Sequence, residues 1–493
     1  MTDTTYHAPI APAAAPGISL GDRLALISPG VLAGFVRLAE LVTVALIGTL
    51  SFVLYVDEVG QHYLWQYMTA ILAGSAATSI VLSAIGLYRP AVFTSLWRPL
   101  ARLWLGWTVV VELLIATAFM LKMGAEFSRG WLLLWYVAGG AGLIASRAVL
   151  SIAVRHWHKA GRLQRRAVIV GGGEPAADLI AALEREPESD IEICGIFDDR
   201  GADRVGASAA GIPMLGNLDE LIELSRRARI DLLIVSLPLY AESRLLQVFK
   251  KLWVLPVDIR LSAHTSKLHF RPRAYSYIGG LAFIDVADRP IADWDHVQKW
   301  LFDRVIGTLA LVALAPVMAL VALAIKLDSK GPVLFKQRRY GFNNELVEVW
   351  KFRSMYTDKT DANAAKLVTK GDPRVTRVGR FIRKSSLDEL PQLFNVLAGT
   401  LSLVGPRPHA LQAKAGDALY QDVVDGYYAR HRVKPGLTGW AQINGWRGET
   451  DTAEKIQKRV EHDLYYIENW SVFLDLYILL ATPFALLKAD NAY

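Results

Sequence analysis

Asp388 and Glu389 stand side by side in the stretch Arg383-Lys384-Ser385-Ser386-Leu387-Asp388-Glu389-Leu390-Pro391-Gln392. They close a basic run: from Lys326 to Lys384 there are 15 lysines and arginines against 6 aspartates and glutamates. An acidic pair in a cationic field suits displacement at a phosphoanhydride. The cations hold phosphate oxygens, one carboxylate can attack phosphorus, and the other can hold a metal ion. The same stretch has a plainer reading. Ser386-Leu387-Asp388-Glu389 fits the S-x-x-E capping box, opening a helix whose apolar face is Leu390, Leu393, Phe394 and Leu397. The two readings are compatible, because a helix N-terminus favours both a carboxylate and an incoming phosphate.

These residues need a scaffold, and the rest of the chain says which kind. At 493 residues it is too long for one core, so two or three domains are expected. A hydrophobic share of 53%, gathered into blocks, points to a membrane protein. The formal charge of +7 suits anionic partners such as lipid headgroups or a nucleotide, and no nucleic-acid recognition motif is present. With the single Cys194, an intramolecular disulfide framework and a multi-cysteine metal site are excluded; it reads as a small residue in a strand.

Residues 1–22 are Ala/Pro-rich and polar, and read as a disordered tail rather than a cleavable signal. Four apolar blocks follow, Val31–Val56, Leu64–Leu87, Leu103–Leu121 and Trp131–Val154, each about the ~20 residues a membrane-crossing helix needs. The loop with Arg89, Arg98 and Arg102 and the exit with Arg155, Arg162, Arg165 and Arg166 are basic, whereas Asp57–His62 is acidic. The positive-inside rule then puts the N-terminus and the exit of the fourth span in the cytoplasm. Trp65, Trp97, Trp104, Trp107, Trp131 and Trp135 near the block ends read as interfacial anchors.

Residues 161–292 alternate short strands with helices, which predicts a parallel, doubly wound, Rossmann-like sheet. The turn Gly171-Gly172-Gly173-Glu174-Pro175-Ala176 fits G-x-G-x-x-A, and Asp198 or Asp199 follows where a ribose-binding acid would stand. The chain has no Tyr-x-x-x-Lys pair, so short-chain dehydrogenase or epimerase chemistry lacks its acid/base, and a regulatory or assembly role is favoured over nucleotide binding. Next, Val305–Ile325 is uncharged, carries Pro316 at its middle and has basic flanks on both sides. A re-entrant helix that breaks at Pro316 and returns to the same face is favoured over a fifth span. The final apolar stretch Trp470–Leu487 is interrupted by Asp475 and Pro483 and reads as a helix lying on the membrane interface.

The segment Phe302–Trp470 closely resembles the bacterial sugar transferases, which are polyprenyl-phosphate hexose-1-phosphate transferases. The matching pieces come in order: Gly331-Pro332-Val333-Leu334-Phe335-Lys336-Gln337, Lys351-Phe352-Arg353-Ser354-Met355, Asp372-Pro373-Arg374-Val375-Thr376 and Ser386-Leu387-Asp388-Glu389-Leu390-Pro391-Gln392. Then come Ser402-Leu403-Val404-Gly405-Pro406-Arg407-Pro408 and Pro435-Gly436-Leu437-Thr438-Gly439-Trp440-Ala441-Gln442. The resemblance implies a four-helix transmembrane N-terminal bundle (23–160), a Rossmann-like α/β domain, and a re-entrant membrane helix with a small α/β catalytic domain and interfacial helices (293–493). The whole looks like the long, polytopic form that primes exopolysaccharide synthesis. One departure is Ala315-Pro316 where the family commonly has Ser-Pro at the break.

By the same resemblance Asp388 is the nucleophile, attacking the β-phosphorus of a UDP-sugar, expelling UMP and forming an aspartyl phosphosugar that a polyprenyl phosphate then takes up. Glu389 resembles a ligand of Mg²⁺. Lys351, Arg353, Arg383 and Arg407 are candidate phosphate clamps, with Pro406 and Pro408 restricting the backbone around Arg407. His409, His431 and His462 could serve as general bases, but a carboxylate-driven displacement requires none; Gly436, Gly439 and Trp440 read as shaping a turn. The implied partners are a UDP-sugar, with UDP-glucose favoured, undecaprenyl phosphate and membrane lipids, with a homodimer left open, and the implied site is the cytoplasmic face of the bacterial inner membrane. Two other classes stand beside this reading: a membrane-anchored NAD-dependent nucleotide-sugar epimerase or dehydratase, and a non-catalytic scaffold.

Overall fold

In the computed structural model the described residues are 28–56, 62–88, 92, 98–159, 164–186, 191–200, 208–238, 240–263, 276–278, 281–357, 372–409, 414–415, 418–420, 424, 426–447 and 452–488. The expected tail 1–22 and Trp97 lie outside them. The described residues form two compact units, one ending at Arg165 and one starting at Arg166. The C-terminal region and the Rossmann-like sheet thus lie in one unit.

The first unit is a bundle of Pro29–Tyr55, Leu64–Ala84, Arg98–Met120 and Arg129–Lys159. All four are long and apolar enough to cross a membrane, and the multiplicity of such helices marks a membrane protein. Trp107, Trp131 and Trp135 correct the reading of the tryptophans as interfacial anchors, because they are sealed in the bundle core. Their indole N–H groups donate to the backbone carbonyls of Tyr136, Gly48 and Val44. Gly48 makes the room: a Cβ there would lie 2.8 Å from the Trp135 indole nitrogen. Trp65 does stand exposed, as an anchor should. Glu40, buried on the first helix, is paired with Arg147 on the fourth at 2.5 Å and accepts from the Tyr88 hydroxyl at 2.7 Å. Neither charge is left alone in the apolar interior.

The second unit opens with an eight-stranded sheet: β1 Arg165–Val170, β2 Ile191–Phe197, β3 Ser208–Ala209, β4 Ile212–Gly216, β5 Leu232–Val235, β6 Asp258–Ser262, β7 Ser276–Ile278 and β8 Leu281–Ala287. Their spatial order is β3-β4-β2-β1-β5-β6-β8-β7. The pairs β1/β5, β5/β6 and β2/β4 are parallel, while β6/β8, β7/β8 and β3/β4 are antiparallel. The doubly wound parallel centre is therefore present, and antiparallel strands close both edges. Helices Glu174–Arg185, Leu218–Arg227 and Glu242–Leu252 are amphipathic and bury Leu179, Leu183, Leu221, Leu245 and Val248 against the sheet.

Asp293–Asp328 follows as one helix of 36 residues with Pro316 inside it. Helical structure continues on both sides of Pro316. Both halves pack on the same catalytic region. Phe302, Ile306, Leu311 and Leu314 join a core with Leu393, Val396 and Val404, whereas Met318, Val321 and Ile325 join Phe352, Ile382, Leu387 and Leu390. The opposite face leaves Leu309, Val312, Leu320, Leu323 and Leu327 more than half exposed, a stripe that calls for lipid. Asp475 likewise does not put a polar face on the helix Val472–Lys488. It has no exposed surface, receives Lys299 Nζ at 2.5 Å and the Tyr466 hydroxyl at 2.7 Å, and joins this helix to the long one.

Around these helices the catalytic region is small. An antiparallel hairpin pairs β9 Leu334–Tyr340 with β10 Leu346–Phe352. The helix Arg377–Lys384 is capped by the Thr376 hydroxyl, which accepts from the Gly379 amide. Asn395, on the helix Gln392–Ala398, accepts from the Trp350 amide at 2.9 Å and donates to the Glu348 carbonyl at 2.7 Å, so the hairpin cannot slide past that helix. Ser402–Val404 pairs in parallel with Gly436–Thr438. This crossing explains the glycines of the last motif: a Cβ on Gly436 would sit 2.1 Å from the Gly405 nitrogen, and one on Gly439 2.3 Å from the Gly405 oxygen.

Candidate active site

Leu387–Glu389 forms one 3₁₀ turn between the helices Arg377–Lys384 and Gln392–Ala398. Ser386 enters it in the left-handed region, with φ of 59° and no side-chain cap. The capping box is thus corrected. From that backbone the Ser386 hydroxyl faces Arg447, which donates to it, and Glu389 turns away to meet two cations. Pro391 precedes the next helix and places the acidic pair just outside it.

Glu389 is the centre of the cluster. Lys351 Nζ lies 2.9 Å from its Oε1, and Arg407 grips both oxygens, at 2.6 and 3.1 Å. Lys351 is on β10, and Arg407 follows the strand Ser402–Val404, so the hairpin and the crossing strand converge on the turn. The same pocket is lined by Arg339, Val349, Gln392 and Pro408. Arg339 donates to the Pro408 carbonyl at 2.9 Å and to Gln337 Oε1. Its neighbour in charge is Arg407, and burial together with that neighbour lowers its pKa to about 10. Burial would raise the Glu389 carboxyl, but Arg407 and Lys351 outweigh it and hold the group well below the usual range. Asp388 is pushed the other way, up to about 6, by burial and by the charge of Glu389, against the pull of Lys351, Arg383 and Arg407. Two adjacent carboxylates with opposed shifts can take different chemical roles.

Of the expected site residues, the structure gathers Asp388, Glu389, Lys351, Arg407 and Pro408, and Arg383 bears on Asp388 through its charge. It does not bring Arg353 there. That side chain is only 4% exposed and donates to the carbonyls of Lys330, Ser329 and Ile325, closing the C-terminal end of the long helix. On a strand, successive residues face opposite sides, so Lys351 and Arg353 share a face only while the strand continues; β10 ends at Phe352. The histidines do not line the pocket. His409 is buried against Tyr427 and Arg430, His431 meets Asn344, and the His462 ring meets the Lys458 carbonyl.

Arg339, Gln392 and Arg447 were missed from the sequence. Arg339 was legible in part: Gln337 and Arg339 alternate on β9 as Val349 and Lys351 do on β10, and Gln337 pairs with Val349. At the second expected locus, the glycine turn, Asp198 is engaged by the protein's own groups. Asp198 accepts from the Gly172 amide at 2.8 Å and is paired with Arg200 at 2.7 Å and Arg244 at 2.8 Å. Burial would raise its carboxyl, but Arg200 and the Gly172 and Arg200 amides hold it at about 2.

Mg²⁺ suits the donor chemistry of the pair, since this ion is commonly held by one or two carboxylates with phosphate oxygens and water supplying the rest. Among the described residues no group of three or more metal-ligating side chains exists. Glu389 now spends both oxygens on Lys351 and Arg407.

Residues 294–489 match the family described as bacterial sugar transferase, and residues 83–263 match one described as a CoA-binding domain. The chain is 40% identical to an undecaprenyl-phosphate glucose phosphotransferase of Komagataeibacter xylinus, over 78% of this chain and 69% of the relative. It is 35% identical to a UDP-glucose:undecaprenyl-phosphate glucose-1-phosphate transferase of Xanthomonas campestris pv. campestris, over 82% and 88%. A protein of the same name from Escherichia coli (strain K12) is 36% identical over 77% and 79%.

Proposed function

The chain belongs to the bacterial sugar transferase family, and we propose that it moves glucose-1-phosphate from UDP-glucose to undecaprenyl phosphate, priming exopolysaccharide synthesis. The observation that carries this is Asp388 standing next in the chain to Glu389, which Lys351 and Arg407 hold at the pocket. An Asp388 oxygen forms a bond to the β-phosphorus, the bond from that phosphorus to the bridging oxygen breaks, and UMP leaves with the electron pair. An oxygen of the lipid phosphate then attacks the same phosphorus and the Asp388 oxygen departs, regenerating the carboxylate. Lys351, Arg407 and Arg339 carry the positive charge that the phosphate oxygens need, and Arg407 has the fork geometry for it. Mg²⁺, when bound, would neutralise phosphate charge; Glu389 would hold it.

Membrane placement supports the same reading. Both halves of Asp293–Asp328 pack on the catalytic region, which favours a helix entering the membrane and staying with one face, with Pro316 bending it. The basic flanks favour the cytoplasm for that face. The exposed Phe473, Leu480 and Phe484 on the last helix suit the interface beside the pocket. A cysteine placed after Ile325 should then react only from the cytoplasmic side; reaction from outside contradicts the placement. The activity itself is tested with purified protein, Mg²⁺, undecaprenyl phosphate and a panel of UDP-sugars. UMP release fastest with UDP-glucose is expected, and release of UDP would rule the reaction out.

A further inference from the structure

Arg407 reaches the pocket with its side chain, and its backbone is held from behind. Arg430, with no exposed surface, donates from Nη2 to the Arg407 carbonyl at 2.9 Å. It is fixed by Asp463, at 3.0 Å from Nε and 2.5 Å from Nη2, and by His409 Nδ1 at 2.7 Å from Nη1. Arg430 lies in the 3₁₀ helix Tyr427–Arg432.

That short helix is also where the Rossmann-like region docks. The Arg432 guanidinium lies 4.9 Å over the Trp253 ring and donates to the Asp288 carbonyl at 2.9 Å. Arg226 lies 5.9 Å from the Tyr428 ring centre. Beside them the buried Asn343 donates to the Ser225 carbonyl at 2.8 Å, and its neighbour Asn344 is bonded to His431. One turn of chain is thus gripped on one side by Trp253, Asp288 and Arg226, with Ser225 holding the neighbouring Asn343, and on the other it holds Arg407. A 3₁₀ helix has poorer hydrogen-bond geometry than an α-helix, so its place depends on what packs against it.

We infer that the Rossmann-like region is a positioning element of the transferase: by docking on Tyr427–Arg432 it sets, through Arg430, the direction in which Arg407 points. This deepens the proposed function and rests on it. A displacement of about 1 Å at a positioned group can change a rate by roughly a hundredfold. Partial loosening of the dock should therefore lower turnover by about tenfold.

The experiment uses the full chain in nanodiscs and measures UMP release from UDP-glucose with undecaprenyl phosphate. Trp253→Ala and Arg226→Ala are made in the native background and again with Arg407→Lys. In the native background each should lower kcat more than it changes KM, and Trp253→Phe, which keeps a ring, should restore most of the loss. With Arg407→Lys already present, the same substitutions should change kcat less than about twofold, because residues acting through one group are not additive. Equal losses in both backgrounds, or unchanged kcat in folded variants, overturn the inference. If Trp253→Ala does not fold, the half-exposed Arg226→Ala decides alone. A wild-type protein that releases no UMP overturns the transferase reading as well; an active wild type with silent variants overturns the positioning role only.

Discussion

Acidification should switch the enzyme off at a pH set by Asp388. Burial and the neighbouring Glu389 push this carboxyl up to about 6, and attack on phosphorus needs its ionised form. With a group titrating there, roughly nine-tenths is ionised at about pH 7 and roughly one-tenth at about pH 5. The rate constant kcat/KM for the nucleotide sugar should therefore drop about tenfold between those values. An ordinary aspartate would leave it nearly flat over the same interval. That constant covers only the steps through UMP departure, so ionisation of the lipid phosphate does not enter. Lys351 is the largest influence lowering the Asp388 value, so Lys351→Met should raise it and move the acid limb to higher pH. The assay is initial UMP release at low UDP-glucose across a constant-ionic-strength buffer series. A wild-type limb below about pH 5, or a limb that moves down in Lys351→Met, would refute the assignment of burial and charge at this site.

Arg353→Met should lower thermal stability by about 3 kcal/mol, because several carbonyls at the end of the long helix lose a charged donor. KM for the nucleotide sugar should stay put; a raised KM with an unchanged melting curve would return Arg353 to the phosphate clamps. Asp198→Ala should destabilise the protein by about 2 kcal/mol, since Arg200, Arg244 and the Gly172 amide lose their shared acceptor, measurable by thermal denaturation in detergent. Added NAD⁺ should not alter wild-type turnover, whereas a requirement for it would revive the epimerase or dehydratase alternative.

The membrane helices, the alternating α/β stretch and the acidic pair were all legible because each rests on local pattern. Apolar length marked the spans, and charge contrast marked Asp388 and Glu389. What escaped depends on contacts distant in sequence. Trp107 and Trp135 looked like anchors, yet small residues such as Gly48 on another helix let them into the core. Arg353 looked like a clamp by its place in Lys351-Phe352-Arg353, but the strand ends before it and Ser329 claims it. The Ser386–Glu389 spacing fits a capping box, and only the left-handed backbone at Ser386 and the pull of two cations on Glu389 show otherwise. Asp475 read as an interfacial interruption because its partner, Lys299, is 176 positions away.

The central claim is that Asp388 itself forms a bond to the transferred phosphosugar. Rapid mixing of the enzyme with UDP-glucose and Mg²⁺ in the absence of lipid, followed by intact-protein and peptide mass spectrometry, tests it directly. The account predicts a burst of UMP approaching one per active site and a hexose-phosphate adduct on the peptide carrying Asp388, with both lost in Asp388→Asn. UMP appearing only after undecaprenyl phosphate is added, with no adduct on a fully active enzyme, would contradict it.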